Sequence, residues 1–252
     1  MSFPDHFSAV AAQYAQARPE YPPALFDWIA AVAPAPGRCW EAGCGSGQAT
    51  RGLAAVFAHV HATDPSAAQV AQAPVLGNAH FAVEPAERCS LPDASVDAVC
   101  VAQALHWFDR PAFFAEAARV LRPGGVLVAW GYQDIEVPRA LADANAVLQD
   151  AIRPYWPPQR ADVDAAYAGY DFPFAPLAPP ALAMEAAWPL PRLLAYFASY
   201  SASQRLREAT GRDIVAECAP AFATAWGEGG HVPLRWPLFL HASRVASPCS
   251  PD

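Results

Sequence analysis

The sequence predicts an α/β fold, a mostly parallel sheet with helices on both faces. Three observations predict it. Short apolar runs alternate with helix-length amphipathic segments over the first hundred and thirty residues. Val96 to Ala102 reads as an apolar strand of the kind buried on both faces. A glycine cluster, Gly43, Gly45 and Gly47, sits where the first strand should turn into a helix.

The elements follow in order. Phe7, Val10, Ala11 and Tyr14 lie at helical spacing, and Tyr21-Pro22-Pro23 opens a second helix carrying Leu25, Phe26, Trp28 and Ile29; proline is tolerated at a helix start because its missing N–H has no intrahelical partner there. Arg38 to Ala42 is a strand, Gln48 to Phe57 a helix and Val60 to Thr63 a strand ending at Asp64. Ser66 caps a helix to Ala73, followed by strands at His80 to Val83 and Val96 to Ala102, a helix at Pro111 to Leu121 and a strand at Val126 to Trp130. From Asp134 to Pro191 the chain turns rich in proline and aromatic residues, which marks an insertion or lid. Val232 to Ala242 alternates Val232, Leu234, Trp236, Leu238 and Leu240 and reads as a late antiparallel strand, with Pro233 and Pro237 demanding an edge or a bulge.

The chain of 252 residues suits one α/β domain with additions. Its 54% hydrophobic content owes much to alanine, and no run approaches the roughly 18 apolar residues of a spanning helix. Met1 to Tyr14 carries no basic stretch leading into an apolar one, so the expectation is a cytoplasmic protein without membrane association. Net charge is −8, every basic side chain is arginine, and the arginines are scattered, which disfavours nucleic acid as a partner. Cys39, Cys44, Cys89, Cys100, Cys218 and Cys249 show neither CxxC spacing nor a disulfide framework. No metal site is expected.

The chemistry is concentrated in Glu41-Ala42-Gly43-Cys44-Gly45-Ser46-Gly47, at the carboxyl edge of the predicted sheet where such folds bind ligands. Asp64 ends the next strand seventeen residues after Gly47, where a carboxylate can accept both hydroxyls of a ribose. Gln48 replaces the third glycine of a dinucleotide fingerprint, and Glu41 suits a cationic amino-acid moiety better than a pyrophosphate. Either acid alone also fits a helix cap or a solvated loop.

Glu41 to Gly47, Asp64, Ser90-Leu91-Pro92-Asp93-Ala94-Ser95-Val96-Asp97 and Arg119-Val120-Leu121-Arg122-Pro123-Gly124-Gly125 occur in one order over about residues 38 to 131. As a set they resemble the Rossmann-like (class I) methyltransferases that use S-adenosyl-L-methionine. Tyr14 to Pro22 and Gln103-Ala104-Leu105-His106-Trp107-Phe108 resemble, more narrowly, the trans-aconitate methyltransferase-like branch. The resemblance implies a seven-stranded Rossmann-like sheet with an antiparallel late strand and a helical, aromatic insertion after the fifth. It divides the chain into cofactor-covering helices (1–36), a cofactor-binding core (37–133), the insertion (134–191) and C-terminal helices with the final strand (192–245).

It further implies that Gly43, Cys44, Gly45 and Gly47 line the methionine and ribose portions of S-adenosyl-L-methionine, with Glu41 at the methionine end and Asp64, followed by Pro65, on the ribose. Ala86 and Glu87 would flank adenine, Gln103 and Ala104 would face the sulfonium, and Tyr14 and Arg18 would cover the cofactor. The product would be S-adenosyl-L-homocysteine. Since the sulfonium activates its own methyl group, the protein need only align the acceptor, exclude water and deprotonate it where it is protic. His106, as base, and Trp107 are the acceptor-side candidates, although His-Trp-Phe equally suits a helix start. Tyr155, Trp156, Tyr167, Tyr170, Phe172, Phe174 and Trp188 suit a lid or a subdomain core, and Arg153, Arg160, Arg192, Arg205 and Arg207 are possible partners of an acceptor carboxylate. The expected partner is a small-molecule acceptor bound by a monomer or homodimer. An NAD(P)-dependent oxidoreductase and a non-catalytic cofactor-binding or interaction module are the competing readings.

Overall fold

Five parallel strands from the first half of the chain lie side by side in the order β3 (Ala79–Ala82), β2 (His59–Thr63), β1 (Arg38–Ala42), β4 (Val96–Ala102) and β5 (Leu121–Tyr132), and an antiparallel β8 (Val232–Arg244) follows β5. The computed structural model describes residues 19–246. Its strands are β1 (Arg38–Ala42), β2 (His59–Thr63), β3 (Ala79–Ala82), β4 (Val96–Ala102), β5 (Leu121–Tyr132), β6 (Ala175–Leu177), β7 (Ala183–Trp188) and β8 (Val232–Arg244). The helices are α1 (Pro23–Val32), α2 (Gln48–Val56), α3 (Ala67–Val70), α4 (Arg110–Val120), α5 (Ala142–Ile152), α6 (Arg160–Asp164), α7 (Leu190–Ala198), α8 (Ser201–Thr210) and α9 (Ile214–Trp226). The expected fold class is therefore the observed one. The helix expected around Tyr14 lies outside the described residues.

The apolar character of β4 has its expected cause. Ala98 and Cys100 face one core layer, with Leu25, Phe26, Leu53 and Trp130, whereas Val99 and Val101 face the other, with Trp40, Phe113 and Leu127. Each layer needs every second residue apolar, so both parities are apolar. Trp40 completes its side through Nε1, which donates to Thr63 Oγ1 at 2.9 Å, as a buried indole requires. On the opposite face α1 and α2 pack so closely that the Phe26 ring fills the space a side chain at Gly52 would need, 2.0 Å from its Cβ position.

Several boundaries differ from expectation for local reasons. The helix expected to Ala73 is a single turn, capped as anticipated by Ser66 Oγ accepting from Gln69 N. Leu121 leaves α4 and joins β5, because Val96 pairs with it ahead of a register shift. The insertion is not wholly helical: β6 and β7 both pair with β8, raising the described strands from the expected seven to eight. Pro233 and Pro237 share the parity of Arg235, whose N–H points to Glu136 and away from β7. On that side β5 has already ended, Tyr132 pairing with Leu238, so the strand is internal yet neither proline interrupts a ladder.

The aromatic residues of the insertion divide between the faces. Trp188 packs with Tyr196 and Trp236 on the α7 to α9 side, where Trp236 Nε1 donates to Tyr196 Oη at 2.9 Å. Tyr167, Tyr170 and Phe172 lie on the Trp40 side, against Phe239 and His241 of β8.

Candidate functional site

The strand order reverses between β1 and β4, and the carboxyl ends of these two strands make the crevice in which open parallel sheets bind ligands. The chain leaves β1 through a bend anchored to β2: the N–H groups of Gly43 and Cys44 both donate to Thr63 O, at 2.8 and 2.9 Å. Gly43, Gly45 and Gly47 have φ of 72°, 54° and 84°, the left-handed region that L side chains rarely occupy. A Cβ at Gly43 would also meet Ala104 Cβ at 2.7 Å, whereas at Gly45 the nearest atom is Gln69 Oε1 at 3.9 Å. The first glycine is demanded by packing. The second meets only Gln69 among the described residues, at van der Waals distance.

Asp64 turns its carboxylate to this bend. Gly45 N donates to Oδ2 and Ser66 N to Oδ1, each at 2.9 Å, which orients the group toward the bend. Pro65, half-buried, follows it into the α3 turn. Glu41 is buried at 1% exposure near the carboxyl end of β1. Thr50 Oγ1 donates to its Oε2 at 2.5 Å, but Oε1 has no partner among the described residues. Burial pushes its pKa up to about 8, the Asp64 charge adds to the rise and the Thr50 hydroxyl opposes it. Cys44, also buried, is a thiol held well above its ordinary pKa, first by burial and then by the Glu41 and Asp64 charges.

Beyond β4 the chain passes Gln103 in the left-handed region at φ 53°. Its amide brackets Tyr132, Oε1 accepting from the Tyr132 N–H at 2.9 Å and Nε2 donating to the Tyr132 carbonyl at 3.0 Å. The side chain therefore joins the ends of β4 and β5, and Gly131 makes room for it, since a Cβ there would come 2.3 Å from Oε1. Ala104 is buried against Gly43 and begins the single 3-10 turn Leu105–Trp107. Ala86 is buried, and Glu87 Oε1 accepts from Asp109 N at 2.9 Å, tying the loop after β3 to the start of α4.

His106 lies in that turn, 4.9 Å from the Trp107 ring, with Nδ1 2.9 Å from Tyr167 Oη. Burial lowers its pKa to about 4, so the ring is neutral at physiological pH. Of the five arginines considered for an acceptor carboxylate, Arg160 acts on His106 electrostatically, and it is engaged by Asp134 at 2.6 Å and Asp164 at 2.5 Å. Arg153 pairs with Asp150, and Arg192 lies over Trp188. Arg110, not among those five, sits 4.0 Å over the Tyr170 ring. Tyr14 and Arg18 lie outside the described residues. Among the described residues no group of three or more His, Cys, Asp or Glu side chains is arranged to hold a metal ion, and no helix is long and apolar enough to cross a membrane.

A solved structure from Anaeromyxobacter dehalogenans, named a "Putative Type II Methyltransferase", superposes with a TM-score of 0.87 at 43% identity, covering 91% of this chain and 99% of that one. This chain belongs to the methyltransferase family. The family described as "Methyltransferase domain" matches residues 40–129 of this methyltransferase, the span from Trp40 through the bend and Asp64 to β5. A "Putative methyltransferase" of Dictyostelium discoideum is 28% identical over 96% of this chain and 95% of its own length. An "Uncharacterized methyltransferase" of Mycobacterium tuberculosis is 39% identical over 51% of this chain and 53% of its own length.

In this methyltransferase Glu41, the three glycines, Asp64 and Ala104 meet at one bend. Thr50 and Gly131 are not among the residues expected at the site, and Tyr167 is expected only with the other lid aromatics. Thr50 carries a usable signal, one helical turn past the bend with its hydroxyl on the face toward β1.

The two most specific stretches of the resemblance do other work. Asp97, at the amino end of β4, accepts from Arg38 N at 2.7 Å and from Arg122 at 2.8 Å. Arg119 reaches Glu116 at 2.6 Å, Asp93 at 2.7 Å and Leu91 O at 2.8 Å. Both groups lie at the end of the sheet away from the bend.

Proposed function

We propose that this methyltransferase uses S-adenosyl-L-methionine and transfers its methyl group to a small-molecule acceptor, with S-adenosyl-L-homocysteine as product, as a cytoplasmic enzyme. The observation that carries the reading is the buried Glu41 Oε1, which has no partner among the described residues and lies on the strand that leads into the glycine bend. A carboxylate oxygen kept there suits the ammonium of the cofactor's methionine portion, which would restore the charge and hydrogen bond that burial removes. Asp64, held by two backbone N–H groups, would accept the ribose hydroxyls, and Gly45, without a side chain, would let the adenosyl moiety approach the backbone. Cys44, Gly47, Pro65, Ala86 and Glu87 would form the remaining wall.

The bound cofactor would supply the activated methyl group; the chain would supply alignment and exclusion of water. Gln103 would act through its bracket on Tyr132, keeping the β4 and β5 ends at a fixed spacing beneath Ala104. His106 and Trp107 would border the acceptor, with Tyr167 and Tyr170 behind them. A net charge of −8 with dispersed arginines supports a small molecule over nucleic acid. The Gln103 to Phe108 stretch supports an affinity to the trans-aconitate-like branch and hence a carboxylate or hydroxyl acceptor.

Calorimetric titration with S-adenosylhomocysteine tests this reading. Asp64→Ala removes a charged acceptor of two ribose hydrogen bonds, each worth about 1.5–3 kcal/mol, so affinity should fall by at least about a hundredfold. Absence of wild-type binding, or a change below threefold in the variant, would refute it.

A further inference from the structure

Tyr167 reaches His106 from a segment 61 residues further along the chain, and the backbone is strained to bring it there. Ala166 and Tyr167 have φ of 50° and 57°, two successive L residues in the left-handed region with no glycine to ease them. Such conformations persist where the surroundings over-determine them. Here the Tyr167 N–H donates to Asp162 O at 2.9 Å, and His241 Nε2 donates to Ala166 O at 2.7 Å. The Tyr167 ring lies parallel to Tyr170 with centroids 4.9 Å apart, and meets Phe239 edge-on at 5.0 Å. The phenol is thus fixed in place, at 1% exposure.

A buried phenol must place its proton on an acceptor. Among the described residues the one side chain hydrogen-bonded to Tyr167 Oη is His106, through Nδ1 at 2.9 Å. Were the imidazole proton on Nδ1, the phenol oxygen would accept it and the phenol proton would have no recipient among the described residues. With Tyr167 donating, every group is matched, Nδ1 is filled and the imidazole proton resides on Nε2. Nε2 has no partner among the described residues and is not sealed in the interior. The charged groups acting on the ring, Asp162 and Arg160, oppose each other and leave burial to hold it neutral.

We propose that Tyr167 is a positioning residue that locks His106 as the Nε2–H tautomer, so that the imidazole meets the methyl acceptor as a hydrogen-bond donor rather than as a base. This rests on the methyltransferase reading above and narrows it: the acceptor reaches the site already anionic at, or beside, the attacking atom, and no proton is withdrawn by His106.

The test is a long-range 1H–15N correlation spectrum of protein labelled with 15N-histidine, the His106 signals being those lost in His106→Gln. The expected pattern is a protonated Nε2 and an unprotonated Nδ1, and in Tyr167→Phe both nitrogens should move to the averaged position of a tautomer mixture. A proton on Nδ1 in the unmodified protein overturns the proposal, and that spectrum decides the tautomer even if Tyr167→Phe fails to fold. An unchanged pattern in folded Tyr167→Phe overturns the role given to Tyr167. The readout needs no methyl transfer: an Nε2–H pattern in protein that binds no S-adenosylhomocysteine leaves the lock intact and removes its purpose, which separates failure of the functional reading from failure of this one.

Discussion

Glu41→Gln should flatten the pH dependence of stability. The folded protein holds the Glu41 proton to about pH 8, against an ordinary value of 4.5, because the carboxyl is desolvated and faces the Asp64 charge. The unfolded chain releases that proton at the ordinary value. A group raised on folding contributes stability that is complete below the unfolded pKa and is lost as pH climbs to the folded one, at about 1.4 kcal/mol per pH unit. Between pH 5.5 and 7.5 this amounts to about 2 to 3 kcal/mol of lost stability in the unmodified protein. Glutamine does not titrate, and any packing change it introduces is the same at both pH values. Urea unfolding of both proteins at the two pH values isolates the effect as a difference of differences. Agreement of the two pH dependences to within about 0.5 kcal/mol would refute the reasoning, because a carboxyl titrating at its ordinary value loses nothing in this window. The same proton bears on function. If Glu41 meets the cofactor's ammonium, S-adenosylhomocysteine binding near pH 7 expels the proton, so affinity should rise towards tenfold per pH unit between 6 and 7.5 and lose that slope in Glu41→Gln.

Two further substitutions probe the frame around the site. Gly131→Ala drives a methyl to 2.3 Å from Gln103 Oε1, so the bracket on Tyr132 must open; about 1–3 kcal/mol of destabilisation is expected, read as a Tm lowered by roughly 2 to 10 °C, and an unchanged Tm would show that the bracket yields freely. Arg119→Ala leaves Glu116 without the guanidinium that, ahead of the Cys89 N–H, holds its carboxyl down to about 2. With Arg119 itself one-third exposed, the loss should be about 2 kcal/mol in urea at pH 7, and since a depressed carboxylate stabilises above its unfolded pKa, the loss should shrink as pH falls from 4.5 toward 2; a pH-independent loss would refute the ion pair as its cause.

What was legible in the sequence was whatever depends on neighbours along the chain. The parity of apolar residues in β4, the Ser66 cap and the spacing from Gly47 to Asp64 each follow from local geometry, and all three reappear in the structure. What escaped depends on contacts across the fold. Gln103 reads as a polar residue at a strand end, and only the approach of Tyr132 reveals its amide as a tie between strands. Tyr167 has no flanking glycine to announce a left-handed backbone, and its distance along the chain from His106 hides the pair. The short β6 and β7, rich in alanine and proline, carry little strand propensity and exist because β8 offers them an edge.

Asp97 with Arg122, and Arg119 with Glu116 and Asp93, grip the amino ends of β4 and β5, whereas the bend and the His106 turn sit at the carboxyl ends, roughly 20 Å away along a seven-residue strand. Loops that decide which molecule is modified can therefore be exchanged without loosening the ion pairs that square the sheet. A relative sharing both signatures shares a scaffold, and under the function proposed above its preferred acceptor would be set instead by the segments that carry Trp107, Arg110 and Tyr170.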